Sequence, residues 1–578
     1  MIQQKLNKLI LTCCLILGST VSLYAQVTPP PSPADTSVKV IQWINSDLTR
    51  NQKVNDSVEY FIMVGNVILQ HETTIFKCDS AVLNQKTRIL EAFGNVHINE
   101  ADSINIYSQY LKYYSSTRLA ELRKKVKLTD GKIELLTENF NYNVGENVGD
   151  YFKGGKVINK QSVLTSVEGT YYGDLKDVFF KKEVKLVDPQ YKLNTDSLLY
   201  NTETEIATFV TRTTIIDSTQ KQIVTNDGYY DVKNRKAKFG KNPVITDPVK
   251  RTMATADDII TDDSTGLSKL WGNAIFADSA QGQVLGGNYI EVNSKNNNLF
   301  AEKDPYLIIK QENDSLYLRA DQFKSGKVTD LIMQLRTAAY TDTSLGLDSA
   351  GVEAMYPLPV LEPGKDSADR YFIGYRNVKV YSDSLQAVAD SIYYSNIDSV
   401  LRLYIDPVAW NPENQMSGDT MYVFTKNQQP DEIMVFENAF AINKYGNELY
   451  NQLKGRRINA FFLEGNINLI RSRGSAESIY YIPDNDSALI GVNKLEGSII
   501  ELRFINKELN QVAAIDAPNG KMVPIQQAGD SDKQLPDFKW READRPKSKY
   551  DILPKVRFIV PEAEKKKEEV AKEVTVDL

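Results

Sequence analysis

Gly65-Asn66-Val67-Ile68-Leu69 and, 29 residues on, Gly94-Asn95-Val96-His97-Ile98 are the stretches on which the fold turns. In each, a glycine and an asparagine precede alternating apolar and other residues. Alternation with a period of two is the pattern of a β-strand with one buried face. Val67 and Leu69 then share the inward face while Ile68 points the other way. Val96 and Ile98 repeat this, with His97 outward. Degenerate copies follow at Val126-Lys127-Leu128, Val157-Ile158, Val184-Lys185-Leu186, Ile215-Ile216 and Val244-Ile245. Gly272-Asn273-Ala274-Ile275 restores the full motif, and Tyr306-Leu307-Ile308 closes the series. Counted from Val67 to the matching residue of each copy, the steps are 29, 30, 31, 27, 31, 29, 30 and 32. A near-constant period identifies a repeat architecture.

A second feature recurs in phase. Asp-Ser precedes an apolar or aromatic run, as in Asp79-Ser80-Ala81-Val82-Leu83-Asn84 and Asp196-Ser197-Leu198-Leu199-Tyr200-Asn201. Tyr113-Tyr114, Tyr171-Tyr172 and Tyr229-Tyr230 hold the comparable place elsewhere. Asp and Ser suit turns, and Val, Ile, Tyr and Thr suit a pleated surface. Each repeat thus holds about two strands, and the fold class is all-β. A repeated inward apolar face has two readings: a sealed sandwich core, or a groove that takes an apolar ligand.

Composition bounds the class. The sequence has 68 Lys and Arg against 75 Asp and Glu, and two histidines. Residues 1–25 read as a cleaved signal peptide, with Lys5 and Lys8 ahead of the apolar run Leu9 to Leu17 and a small residue at Ala25. Its removal leaves 66 basic and 75 acidic residues, a formal −9, which disfavours nucleic-acid binding. Cys13 and Cys14 leave with it, so Cys78 has no partner for an internal disulfide. The expected location is periplasmic, with association with the outer membrane also open. No histidine, cysteine or carboxylate cluster has the spacing of a metal or catalytic site, so no enzyme, metal or cofactor is expected. Asp257-Asp258 and Asp262-Asp263 read as solvated turns. Lys124-Lys125, Lys181-Lys182 and Arg456-Arg457 read as edge charges, and both histidines as strand-surface residues.

The expected organisation is as follows: signal peptide 1–25, proline-rich spacer and lead-in segment 26–57, repeats 58–320, and a linker or irregular insert 321–369. A second, divergent β module, 370–523, and a charged, largely disordered tail, 524–578, complete it.

The Gly65-Asn66-Val67, Asp79-Ser80, Ala92-Phe93-Gly94-Asn95-Val96 and Gly272-Asn273-Ala274 segments, with their period, resemble the OstA-like family, which includes LptA-like periplasmic lipopolysaccharide-transport proteins. The resemblance covers Val58 to Ile309 well and Arg370 to Val523 more loosely; the length is that of the long Bacteroidetes-type form. It implies an open, twisted β-jelly roll whose groove carries the acyl chains of lipopolysaccharide. Val67, Leu69, Val96, Ile98, Val126, Leu128, Val184 and Leu186 would line that groove. Partners would be lipopolysaccharide and other jelly-roll transport components, or a second copy, joined by edge-strand pairing. A charge at Val96 or Val126 would then block lipid contact and leave the fold intact. The chain lacks an obvious outer-membrane barrel, which favours a bridge-like protein. The rival is a structural or adhesive β-solenoid with a sealed interior, and a third class is a polysaccharide-active enzyme on a β-helix.

Overall fold

Both residues of each Gly-Asn pair are left-handed: φ is +79° and +49° at Gly65 and Asn66, and +70° and +42° at Gly94 and Asn95. Glycine adopts this region freely and asparagine tolerates it. The structure is a computed structural model describing residues 40–55, 58–100, 104–310, 315–342, 344, 346–359, 369–426, 429–445, 448–463, 466–483, 488–505 and 508–553. The segments expected to be a signal peptide and a proline-rich spacer, and residues 554–578, lie outside it. The described residues form two units, divided between Leu122 and Arg123.

In the first unit, Gly65 and Asn66 sit between Val64, opposite Ser80, and Val67, opposite Cys78, so two residues face one. Such a bulge bends a strand. The strand Val58–His71 accordingly pairs with Leu48–Asn55 before the bulge and with Gln42–Asn45 after it. The motif is the corner at which one strand passes from one β layer to the other. Asp79 completes it. Its carboxylate accepts from Asn95 Nδ2 at 3.0 and 3.3 Å, and a Cβ on Gly94 would lie 2.3 Å from Asp79 Oδ2. Asp79-Ser80 is therefore no turn; it lies inside the strand Thr74–Asn84 and bonds across to the next strand.

The second unit repeats the device. The strand Asp177–Val187 pairs with Glu168–Tyr172 before its bulge at Lys182-Glu183 and with Ser162–Ser166 after it. Left-handed pairs fall at Lys124-Lys125, Lys153-Gly154, Lys182-Glu183, Lys241-Asn242, Gly272-Asn273 and Lys303-Asp304. Asp257 serves Asn273 as Asp79 serves Asn95, at 3.1 Å. At two corners without Gly-Asn an ion pair replaces the amide bond: Lys182 with Glu168 at 2.6 Å and Lys241 with Asp227 at 3.1 Å.

Corner positions regularise the period. The first members stand at 65, 94, 124, 153 and 182, steps of 29, 30, 29 and 29. The uneven steps of 31, 27 and 31 arose because Val157 and Ile215 match Leu69 rather than Val67. Val244 and Tyr306 are one residue out of register.

Successive strands of the second unit pair antiparallel within each layer, so that unit is a two-layer, jelly-roll-like β structure and not a solenoid of stacked parallel coils. In one layer of the second unit, directly opposed residues form an unbroken inward row. It runs Leu135, Val157, Leu164, Leu186, Leu193, Ile215, Ile223 and Ile245, then Ala254, Phe276, Leu285, Leu307, Leu318 and Val380. Opposed residues share a face, so the interior is apolar at every rung.

Two expectations about organisation fail. Residues 321–369 do not separate two modules. Gln322–Gly326 pairs with Tyr371–Tyr375, and Ser315–Arg319 with Val378–Tyr381, so both layers run through the insert. The insert carries two helices, α1 (Val328–Thr341) and α2 (Ser349–Met355), anchored where Asp369 accepts from the Thr329 backbone at 3.0 Å. Nor is 524–553 a disordered tail. Leu535 and Ile552 are buried, and Phe538 and Trp540 pack on a cluster that includes Phe440, Ile442, Ile479 and Tyr481. Three buried glutamines, from the strands Gln386–Ala389, Asn414–Ser417 and Leu449–Leu463, hold this strap. Gln452 bonds Lys533 O and Leu535 N, Gln415 bonds Lys539 O and Arg541 N, and Gln386 accepts from Arg545.

Candidate functional site: the interior between the layers

The structure puts all eight expected groove residues on the inward face. Val67, Leu69, Val96, Val126, Val184 and Leu186 are 1% exposed, and Ile98 and Leu128 are 0%. In this state they are packed against protein. A charge at Val96 or Val126 would be buried without a partner, so the expectation that the fold survives it does not hold.

The margin opposite the corners explains the burial. There the ends of the two layers reach across to each other. In the first unit, Tyr113 Oη lies 2.7 Å from His71 Nδ1, its ring packs on Phe76 at 4.7 Å, and Arg118 pairs with Glu72 at 3.2 Å. His71 is thus buried, not a strand-surface residue. His97 is half-buried and stacks on Tyr107 at 4.5 Å.

In the second unit, Tyr171 Oη donates to Asp130 at 3.3 Å and Asn159 donates to Tyr200 Oη at 3.0 Å. The Tyr191 and Tyr230 rings meet edge to face at 5.2 Å. Lys132 with Glu203 at 3.2 Å and Lys160 with Glu205 at 2.5 Å tie the turns outside them. Burial pushes the Tyr200 and Tyr230 phenols up to about 12. Burial, and secondarily Asp130, raises Tyr171. These tyrosines stay protonated at neutral pH, and they latch the margin through phenol hydrogen bonds and ring contacts. The sequence shows the tyrosines, but nothing in it reveals which polar residue each would meet across the gap.

The remaining candidates are engaged with their own chain. Asp257 belongs to a corner; Asp262 accepts from the Ser264 and Thr265 backbone. Lys181 lies over the Phe179 ring at 4.9 Å, Arg456 pairs with Glu437 at 2.8 Å, and Arg457 lies over Phe436 at 4.9 Å. Burial, then the charge of Asp79, pushes the Cys78 thiol up to about 12, which keeps it protonated. Among the described residues, no group of three or more His, Cys, Asp or Glu is placed to hold a metal ion, and no helix is long and apolar enough to cross a membrane.

A family model described as OstA-like protein matches residues 37–196. No curated protein matches the chain. Among solved structures, LptH of Pseudomonas aeruginosa, titled the LptA homologous periplasmic component of the conserved lipopolysaccharide transport device, is similar at 18% identity, with a TM-score of 0.19. That match covers 24% of this chain and 93% of LptH. Residues 37–196, the stretch that carries the Gly-Asn corners at 65 and 94, are thus similar to the OstA-like family.

Proposed function

We propose that the protein takes part in carrying lipopolysaccharide across the periplasm to the outer membrane, with the acyl chains held between the two layers. The observation that carries this reading is the unbroken inward apolar row, rung after rung, in a chain with an OstA-like N-terminal part. Burying an acyl chain stabilises by about 0.8 kcal/mol per methylene. One deep pocket would hold such a ligand too tightly to release it. A row of equivalent rungs lets it advance with little change per step. The eight inward candidates meet lipid in this reading only when the latched margin opens. The first-unit strands Gln42–Asn45 and Leu48–Asn55 are wholly exposed, with Trp43, Ile44 and Leu48 more than half exposed. They offer an edge to another jelly roll or a second copy.

A second reading has one observation in its favour. The near-zero exposure of the eight residues suits a structural β protein whose interior takes no ligand. Conditional depletion of the protein in its native cell separates the two. Lipopolysaccharide accumulating in the inner membrane is the expected result; undiminished delivery to the cell surface would reject transport.

A further inference from the structure

The latches stop partway along the second unit, and the sequence says why. Tyr113, Tyr142, Tyr171, Tyr200 and Tyr230 recur at steps of 29, 29, 29 and 30. The register places Tyr171, Tyr200 and Tyr230 in one inward row with Val178, Ala207 and Ala237 between or beside them. The next residue of the tyrosine series in that row is Thr261, opposite Ala237, and Ser268 follows opposite Thr261. A threonine or serine side chain is shorter than a tyrosine by the whole phenol ring.

Exposure changes at that point. In the facing layer Leu186 and Leu193 are 1% exposed, Ile215 is 7% and Ile223 8%; beyond them Ile245, Ala254 and Phe276 are half-buried, and Leu285, next in the row, is buried again at 4%. Val292 and Leu299, which continue the Thr261 row, are half-buried too. The interior therefore changes from latched to accessible at one place, without losing its apolar lining.

We infer that the margin lined by Ile245, Ala254, Phe276, Val292 and Leu299 is a lateral access window, where an acyl chain enters or leaves the interior, and that the tyrosine-latched stretch before it is a closed conduit. This rests on the lipid-carrying reading and adds where the cargo crosses the margin. The occupant is an acyl chain because the window opens onto the same apolar row that runs on into the sealed interior.

The test uses the full chain made with photo-leucine, a nearly isosteric replacement that spares the packing. The protein is mixed with lipopolysaccharide and irradiated, and the adducts are mapped by mass spectrometry. Adducts that form on Leu299 before they form on Leu164, Leu186 and Leu193 are the expected result. Labelling of Leu186 as early as Leu299 would overturn the window while leaving lipid carriage standing. No adduct at any inward leucine would overturn both. Thr261→Tyr restores the missing member of the series and should cut labelling at Leu299 severalfold; unchanged labelling in the folded variant would also count against the window.

Discussion

Val96→Asp is expected to unfold the unit of residues 40–122. Val96 is 1% exposed, one residue past a corner and directly opposite Ser108. The row has no cation to receive a carboxylate, and one buried without a partner costs about 4 kcal/mol or more. Typical domains have only about 5–15 kcal/mol of stability in total. His97→Asp, one position on, changes an outward residue and should cost about 1 kcal/mol or less. Urea unfolding followed by circular dichroism reads the difference. Equal effects at 96 and 97 would refute the assignment of faces on which the row depends.

Trp410→Ala carries the second large effect. Trp410 is 1% exposed and donates Nε1–H to Gln415 Oε1 at 3.0 Å. Gln415 in turn holds the strap at Lys539 and Arg541. Removing a buried tryptophan costs about 3–5 kcal/mol. The loss should concentrate in the strap, because Gln415 would lose its packing neighbour. Faster hydrogen exchange at Leu535 and Arg541, with little change near Leu186, is the expected pattern. Exchange that rises evenly along the chain would show that the strap is not seated through this contact.

The repeat was legible because its corner needs particular residues. Only glycine fits a position where a Cβ would lie within 2.3 Å of an aspartate oxygen, and asparagine both tolerates a left-handed backbone and donates to that aspartate. Copies that use Lys-Lys or Lys-Glu keep the bend but lose the signature, and there the reading slipped by one or two residues. The single run of strands across 321–369 was hidden because the helices interrupt the sequence and not the pairing. The strap was hidden because Leu535, Phe538, Trp540 and Ile552 follow no period and sit among charges. The inward faces were legible from alternation. Their burial was not, because it depends on partners such as His71 and Tyr113, 42 residues apart.

The most direct measurement of lipid carriage is the lipid content of the protein purified under native conditions from its own cell envelope, read by mass spectrometry. Lipopolysaccharide bound at a fixed ratio to the chain is the predicted result. A chain that is folded, full-length and free of lipid would contradict it and leave a sealed structural β protein.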